Sequence, residues 1–318
     1  VCVCVCVCVC RLSKLKNPAG GIMHAFRAQG WFVNMFELDS NDATTGSVKF
    51  KTWTDPDGFT HPVGGWQGGR GWQVGNKTEF LDPTSNYLQA GGWMIENVWE
   101  ALDTQNEWFF DPAEHKLYLI PNATSGAPPA STEYIAVQLE TLISINGTKA
   151  APVKDVTIQG LVFRDAADIT MEPWGVPSGG DWGLYRGGAI FIEGAESVMV
   201  QHNLLTRLDG NGVFVSGYTR NVTIADNEFS WIADNPMASW GYTNENDGTD
   251  GQQPRYTTIK RNYAHEWGHY EKQSSFWSNN KACLVNVENN IMFNAPRAGI
   301  NFKSLSLSLS LSLSLSLS

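Results

Sequence analysis

Residues 187–229 read GGAIFIEGAESVMVQHNLLTRLDGNGVFVSGYTRNVTIADNEF, and they say the same thing twice. A glycine precedes a short apolar run, Ala189 to Ile192 and then Val213 to Val215. A second glycine follows, and then Val-x-Val/Ile-x-x-Asn-x-apolar. Val198, Val200 and Asn203 match Val222, Ile224 and Asn227, with the asparagines 24 residues apart. Self-similarity of short β-rich units predicts an all-β solenoid, a parallel β-helix.

Working outward, three more copies fall on the same pattern: Val156 to Phe163, Thr257 to Asn262 and Val285 to Phe293. From Asn227 the asparagine steps are 35 and then 28 residues. A bare coil of this kind takes roughly 20–25 residues, so the excess is expected in loops. The insertions are Ser239 to Pro254 and Met171 to Trp182. Alternate Val and Ile should point inward and stack on the next coil. The asparagines should sit at a turn and hydrogen-bond up a ladder. Glycines 188, 194, 212 and 217 permit the bends.

Composition agrees. Of 318 residues, 42% are hydrophobic and only 17% charged, with 31 glycines and 13 tryptophans, which suits a turn-rich β protein. A net charge of −10 and a pI near 5.1 argue against nucleic acid or an anionic membrane as partner. No segment is long enough to cross a membrane as a helix. Only Cys283 lies outside the opening Val-Cys run, so the body has no internal disulfide framework. Four sequons, at Asn76, Asn122, Asn146 and Asn221, favour a secreted glycoprotein. No signal peptide is visible. The chain does not begin with methionine, so its true N-terminus is expected to be missing.

The expected organisation has four parts. Residues 1–10 and 304–318 are strict two-residue repeats, Val-Cys and Ser-Leu. They read as dinucleotide-repeat DNA translated into protein, and Asn301-Phe302 then marks a truncation. Residues 11–151 form an irregular β-rich lead-in with the first coils, and 152–303 the β-helix proper. Within the lead-in, Trp108 to Phe110 and Leu117 to Ile120 read as a hairpin turning at Asp111-Pro112. The glycine-tryptophan stretch Gly64 to Trp72 lacks the pattern of a phosphate-binding loop.

The Val-x-Ile-x-x-Asn coils resemble the pectin-lyase-like right-handed parallel β-helix superfamily. His265-Glu-x-Gly268, Glu271-Lys-Gln-Ser-Ser275 and Pro296-Arg-Ala-Gly-Ile-Asn-Phe302 are similar to a group of largely uncharacterised eukaryotic right-handed β-helix domain proteins. In that group further coils follow the Asn-Phe. The resemblance runs from about Trp93 to Phe302. It implies a carbohydrate-active protein, because the superfamily holds mainly lyases, polygalacturonase-type hydrolases and epimerases. Fold alone does not fix the function.

A glycosidase needs two carboxyls across the scissile bond, about 5–5.5 Å apart for retention and about 6.5–9.5 Å for inversion. Coils stack about 4.8 Å apart, so acids on successive coils suit that chemistry. Asp209 and Asp234 fall at comparable places after successive coils, and Glu271 could continue the row. Asp209-Gly210 and Asp234-Asn235 read equally as turn residues. His269, Lys272 and Arg297 could supply cations for a uronate or an oxyanion, and Arg297 could equally be a structural donor. Trp240 and Trp267, with Trp174 and Trp182, lie in or beside loops and could stack on sugars, although tryptophan often buries itself. His265 to His269 spells HExxH, but zinc proteases need it on a helix and here it falls on strand and turn, so no metal site is expected. Asn244 to Asp250 is acidic enough to suggest calcium yet misses the EF-hand spacing, so no cofactor is expected.

Three functions follow in order. The first is a secreted polysaccharide glycoside hydrolase using carboxylates from successive coils. The second is a non-catalytic carbohydrate-binding or surface β-helix, and the third a polysaccharide lyase. The expected partner is a glycan and the expected state a monomer.

Overall fold

The computed structural model describes residues 12–26, 33–54, 58, 60–66 and 93–303, apart from 124–125, 129, 170, 173, 176, 178–182 and 245–246. Both dinucleotide-type repeats, most of the glycine-tryptophan stretch, Asn76 and Trp182 lie outside these. The chain forms two compact units, Val1–Ala136 and Val137–Ser318.

The first unit is antiparallel. Val48–Phe50, Val33–Asn41, Ile22–Phe26 and Trp93–Glu96 lie side by side in that order, and Gly64–Trp66 pairs with Val33–Asn41. Met23, Leu38, Ile95 and Val98 form its core with Leu12 and Leu15. The expected hairpin is present: Trp108–Asp111 pairs antiparallel with Lys116–Leu119. Asp111 builds its turn by accepting hydrogen bonds from the amides of Ala113 (2.9 Å) and Glu114 (3.1 Å).

The second unit is all-β with long parallel sheets, in the pattern of a β-helix. Its strands fall on three faces. Ile143–Asn146, residues 190–193 and 213–216, Met237–Trp240, Ser275–Asn280 and Ala298–Lys303 stack as the first. Val153–Gln159, residues 195–201 and 219–225, Thr258–Lys260 and Asn286–Glu288 stack as the second. Val162–Ala166, Leu204–Leu208, Glu228–Ile232, Tyr263–Trp267 and Ile291–Phe293 make the third. The first strand of the first face, Ile143–Asn146, already belongs to the second compact unit.

The sequence period sets the register. Ile158, Val200, Ile224, Ile259 and Val287 stand in one interior column. Val200, Ile224 and Ile259 have no exposed surface. Burying each such side chain stabilises by about 1.5–3 kcal/mol. Ile190–Gln201 and Val213–Ala225 run from the first face to the second without a break, bending at Gly194 and Gly217. Gly194 has φ +58°, and a Cβ there would lie 2.1 Å from the Gly147 carbonyl carbon, so this bend needs glycine.

At the corner between the second and third faces the asparagines form the expected ladder. Asn203 donates its amide and its Nδ2 to Asn227 Oδ1, both at 3.0 Å. Asn227 repeats this on Asn262, and Asn262 on Asn290. Each Nδ2 also donates to a carbonyl of the preceding coil: Ile158, Val200, Ile224 and Ile259 accept in turn. Before each ladder position comes a left-handed residue, Gly160, His202, Asp226, Arg261 and Asn289, with φ from +52° to +70°. It turns the chain from one face to the next.

Candidate functional site

The opposite corner, where the third face returns to the first, carries the acids that the sequence singles out. Leu208, Ile232 and Trp267 share one register position, and so do Val213, Met237 and Trp277. Counting between them places Asp209 opposite Ala233 and Asp234 opposite Gly210. The two aspartates are therefore one residue out of step, not at equivalent positions. Their local spacings from the ladder asparagines, six and seven residues, already differed by one, and the sheet register resolves that difference against equivalence. Glu271 lies in a longer turn on the following coil and donates its amide to the Ala233 carbonyl, 3.2 Å away.

This corner has an asparagine ladder of its own. Asn235 donates its amide (3.2 Å) and Nδ2 (2.9 Å) to Asn211 Oδ1, and Ser275 donates its amide to Asn235 Oδ1 at 2.7 Å. Asn211 and Asn235 repeat at the same 24-residue step as the first pair, so the period could have revealed them.

Beside that ladder Asp234 is 2% exposed and Glu271 1%. Asp234 Oδ1 accepts from Asn235 Nδ2 at 2.6 Å, and Glu271 Oε1 from the Gln273 amide at 2.8 Å. Their other oxygens, with Ser274 Oγ, Ser275 Oγ and Trp267 Nε1, are buried without hydrogen-bond partners among the described residues. Burial raises both carboxyls well above the usual carboxylate range. The Asp234 charge raises Glu271 further, while Lys272 and Arg297 pull it back. The corner thus holds acids whose protonated form burial favours, with spare hydrogen-bonding capacity.

His269 and Lys272 lie on the turn that carries Glu271. Lys272 Nζ donates to the carbonyls of Gly268 (2.9 Å) and His269 (2.8 Å), and burial lowers its pKa. His269 stacks on Trp231 with ring centroids 5.2 Å apart, and the covering of its ring lowers its pKa. Arg297 is exposed on the next coil. Asp209 is half-buried, and its carbonyl accepts from the amide of Ile169 at 3.1 Å.

Two tryptophans depart from expectation. Trp267 is 3% exposed and packs against Phe276 in the core, because its register position is the interior one of Leu208 and Ile232. It is not a sugar platform. Trp174 is buried too, its Nε1 donating to the Ile169 carbonyl at 2.9 Å. The HExxH match is strand and turn: His265 lies on Tyr263–Trp267 and stacks on Phe293. Among the described residues, no group of His, Cys, Asp and Glu could hold a metal ion. Asp247 and Asp250 accept from amides two residues on, at Thr249 and Gln252, as ordinary turn residues do.

Trp240 lies away from the corner, on the outside of the first face, in a cluster the linear sequence did not reveal. Arg186 reaches across three coils to it. Its guanidinium lies 4.2 Å from the Trp240 ring and 4.1 Å from that of Tyr242. It donates to Ser216 Oγ (2.8 Å) and to the carbonyls of Trp240 (2.5 Å) and Gly241 (3.4 Å). Ser216 Oγ and Tyr242 Oη both donate to Glu193 Oε2, at 2.5 and 3.0 Å. Glu193 and Ser216 stand at one register position on neighbouring coils.

No protein-family model matches the chain. No curated protein matches it either. A solved structure described as "Glycoside hydrolase" matches with a TM-score of 0.66 at 16% identity. The match covers 91% of this chain and 51% of the other, so this chain spans about half the length of that protein. At this identity the likeness is one of fold.

Proposed function

We propose that the chain is a secreted, right-handed, pectin-lyase-like β-helix protein that acts on a polysaccharide as a glycoside hydrolase. The observation that carries this reading is the pair Asp234 and Glu271, buried carboxyls from successive coils whose pKa values burial raises well above the usual carboxylate range. A glycosidase needs such a proton to place on the leaving oxygen. Either carboxyl can supply it, and Asp209, half-buried at the same corner, is the candidate base or nucleophile. Arg297 and Lys272 favour the charged form of Glu271 once the proton has gone. The name of the structural neighbour agrees with this chemistry. Secretion is supported by the sequons, since Asn122, Asn146 and Asn221 are all exposed.

A second reading, non-catalytic glycan binding, is favoured by the near-complete burial of both acids. Under the first reading the turn at 268–274 must part to admit the substrate. Reducing-end release from a polysaccharide panel separates the two. We expect hydrolysis by the wild type and loss of at least about a hundredfold in Glu271→Gln and Asp234→Asn, the usual scale for removing an acid catalyst. Undiminished hydrolysis in both variants overturns the site. Glycan retention without hydrolysis gives the second reading, and neither retention nor hydrolysis overturns both.

A further inference from the structure

The cluster around Arg186 has a sharper meaning than its composition suggests. A surface arginine beside two aromatic rings on the face of a β-helix invites the reading of an anion clamp for uronate carboxylates. Its geometry argues against that role. The guanidinium is flanked by the Trp240 and Tyr242 rings, and three of its donors already serve Ser216 and two main-chain carbonyls. Burial works against its charge, and Glu193 and Tyr242 work for it. The cation is a structural strut that holds the rings and Ser216 in place.

What the cluster presents outward is of the opposite sign. Glu193 accepts from Ser216 and Tyr242 through Oε2, and among the described residues neither donor serves its Oε1. Tyr242 is 54% exposed. Glu140 accepts from Tyr185 Oη at 2.9 Å, and the charges of Glu140 and Glu172 both act on that hydroxyl. Lys281 points its Nζ at the Thr243 carbonyl, 2.9 Å away. An open carboxylate oxygen beside an exposed aromatic ring accepts sugar hydroxyls and covers the C–H face of a pyranose. The Glu193 carboxylate on this face repels the carboxylate of a uronate at short range.

We propose that the outer first face around Glu193 and Tyr242 is a subsite for a neutral glycan, with Glu193 Oε1 accepting sugar hydroxyls and Tyr242 covering the ring. The subsite rests on the glycan-active reading and narrows it to uncharged polysaccharides, away from pectate and alginate.

Affinity electrophoresis of the full chain tests this, in gels containing neutral polysaccharide (xylan, mannan, mixed-linkage β-glucan) or polyuronate (polygalacturonate, alginate). The variants are Tyr242→Ala, Glu193→Gln and, as a control on the second face, Tyr256→Ala, an exposed tyrosine at 52%. Thermal melting confirms that each variant is folded. At least one neutral polymer should retard the wild type and neither polyuronate should. Tyr242→Ala should weaken retardation about tenfold and Glu193→Gln about threefold to tenfold, with Tyr256→Ala unchanged. Stronger retardation by polyuronate, or neutral-glycan binding that Tyr242→Ala and Glu193→Gln leave intact, overturns the subsite while the glycan reading stands. No retardation by any polysaccharide overturns both.

Discussion

At the corner between the second and third faces, Asn203, Asn227, Asn262 and Asn290 hydrogen-bond to one another and to main-chain carbonyls. At the corner between the third and first faces, Asn211 and Asn235 begin the same ladder. There it runs into Asp234 and Glu271, whose second oxygens are buried unpartnered. The first corner is what stacking coils require. The second keeps two carboxyls where apolar or amide groups would fit the same stack, and a buried polar atom left unpaired costs about 1–3 kcal/mol. Stability accounts for the first corner and not for the second, which is why chemistry is sought at the second.

The largest effect should come from breaking the satisfied corner. Asn227→Ala removes the acceptor for two donors of Asn203 and two donations of its own. It should destabilise by about 3 kcal/mol, lowering Tm by roughly 6–12 °C in a thermal melt. A fall of only a degree or two would mean that the ladder is not the strut described here.

The opposite corner should respond with the other sign. A buried carboxyl whose pKa is raised on folding keeps a proton that the unfolded chain releases. Its contribution to stability is full below the unfolded pKa, near 4, and is lost as pH rises toward the folded value. Asp234→Asn and Glu271→Gln should therefore leave stability at pH 4 little changed and raise it at pH 8. Melting curves across that range should show a steeper decline for the wild type than for either variant. Parallel declines would contradict the burial-raised pKa.

The smallest effect belongs to the surface. Arg207 holds Asp165 of the neighbouring coil bidentately at 2.8 and 3.0 Å and lowers its pKa. Asp165 sits on the strand carrying the third face, and Arg207 is 46% exposed. Asp165→Asn should cost about 0.5 kcal/mol or less, and the loss should vanish in high salt. A larger, salt-independent loss would show that surface pairs share the work of the ladder.

The sequence disclosed what is local and periodic. A 24-residue step with Val-x-Val-x-x-Asn fixed the inward column, the first ladder and the corner, because each coil repeats the same physical task. The acids were legible as residue types but not in register: Asp209 and Asp234 look equivalent until Leu208 is paired with Ile232. Trp267 looked like a loop residue because the long 35-residue step before its coil hid its place in the interior column. The Arg186 cluster could not be read at all. It joins residues 186, 193, 216, 240 and 242, and only the stacking of coils brings them together.

The protonation of the corner acids is measured most directly by a carbon-13 NMR titration of side-chain carboxyls between pH 4 and 9, on the wild type, Asp234→Asn and Glu271→Gln. The expected result is two carboxyl signals that titrate above the usual carboxylate range, one missing from each variant. Titration of every aspartate and glutamate within that range would contradict the reading of Asp234 and Glu271 as a stored acid pair.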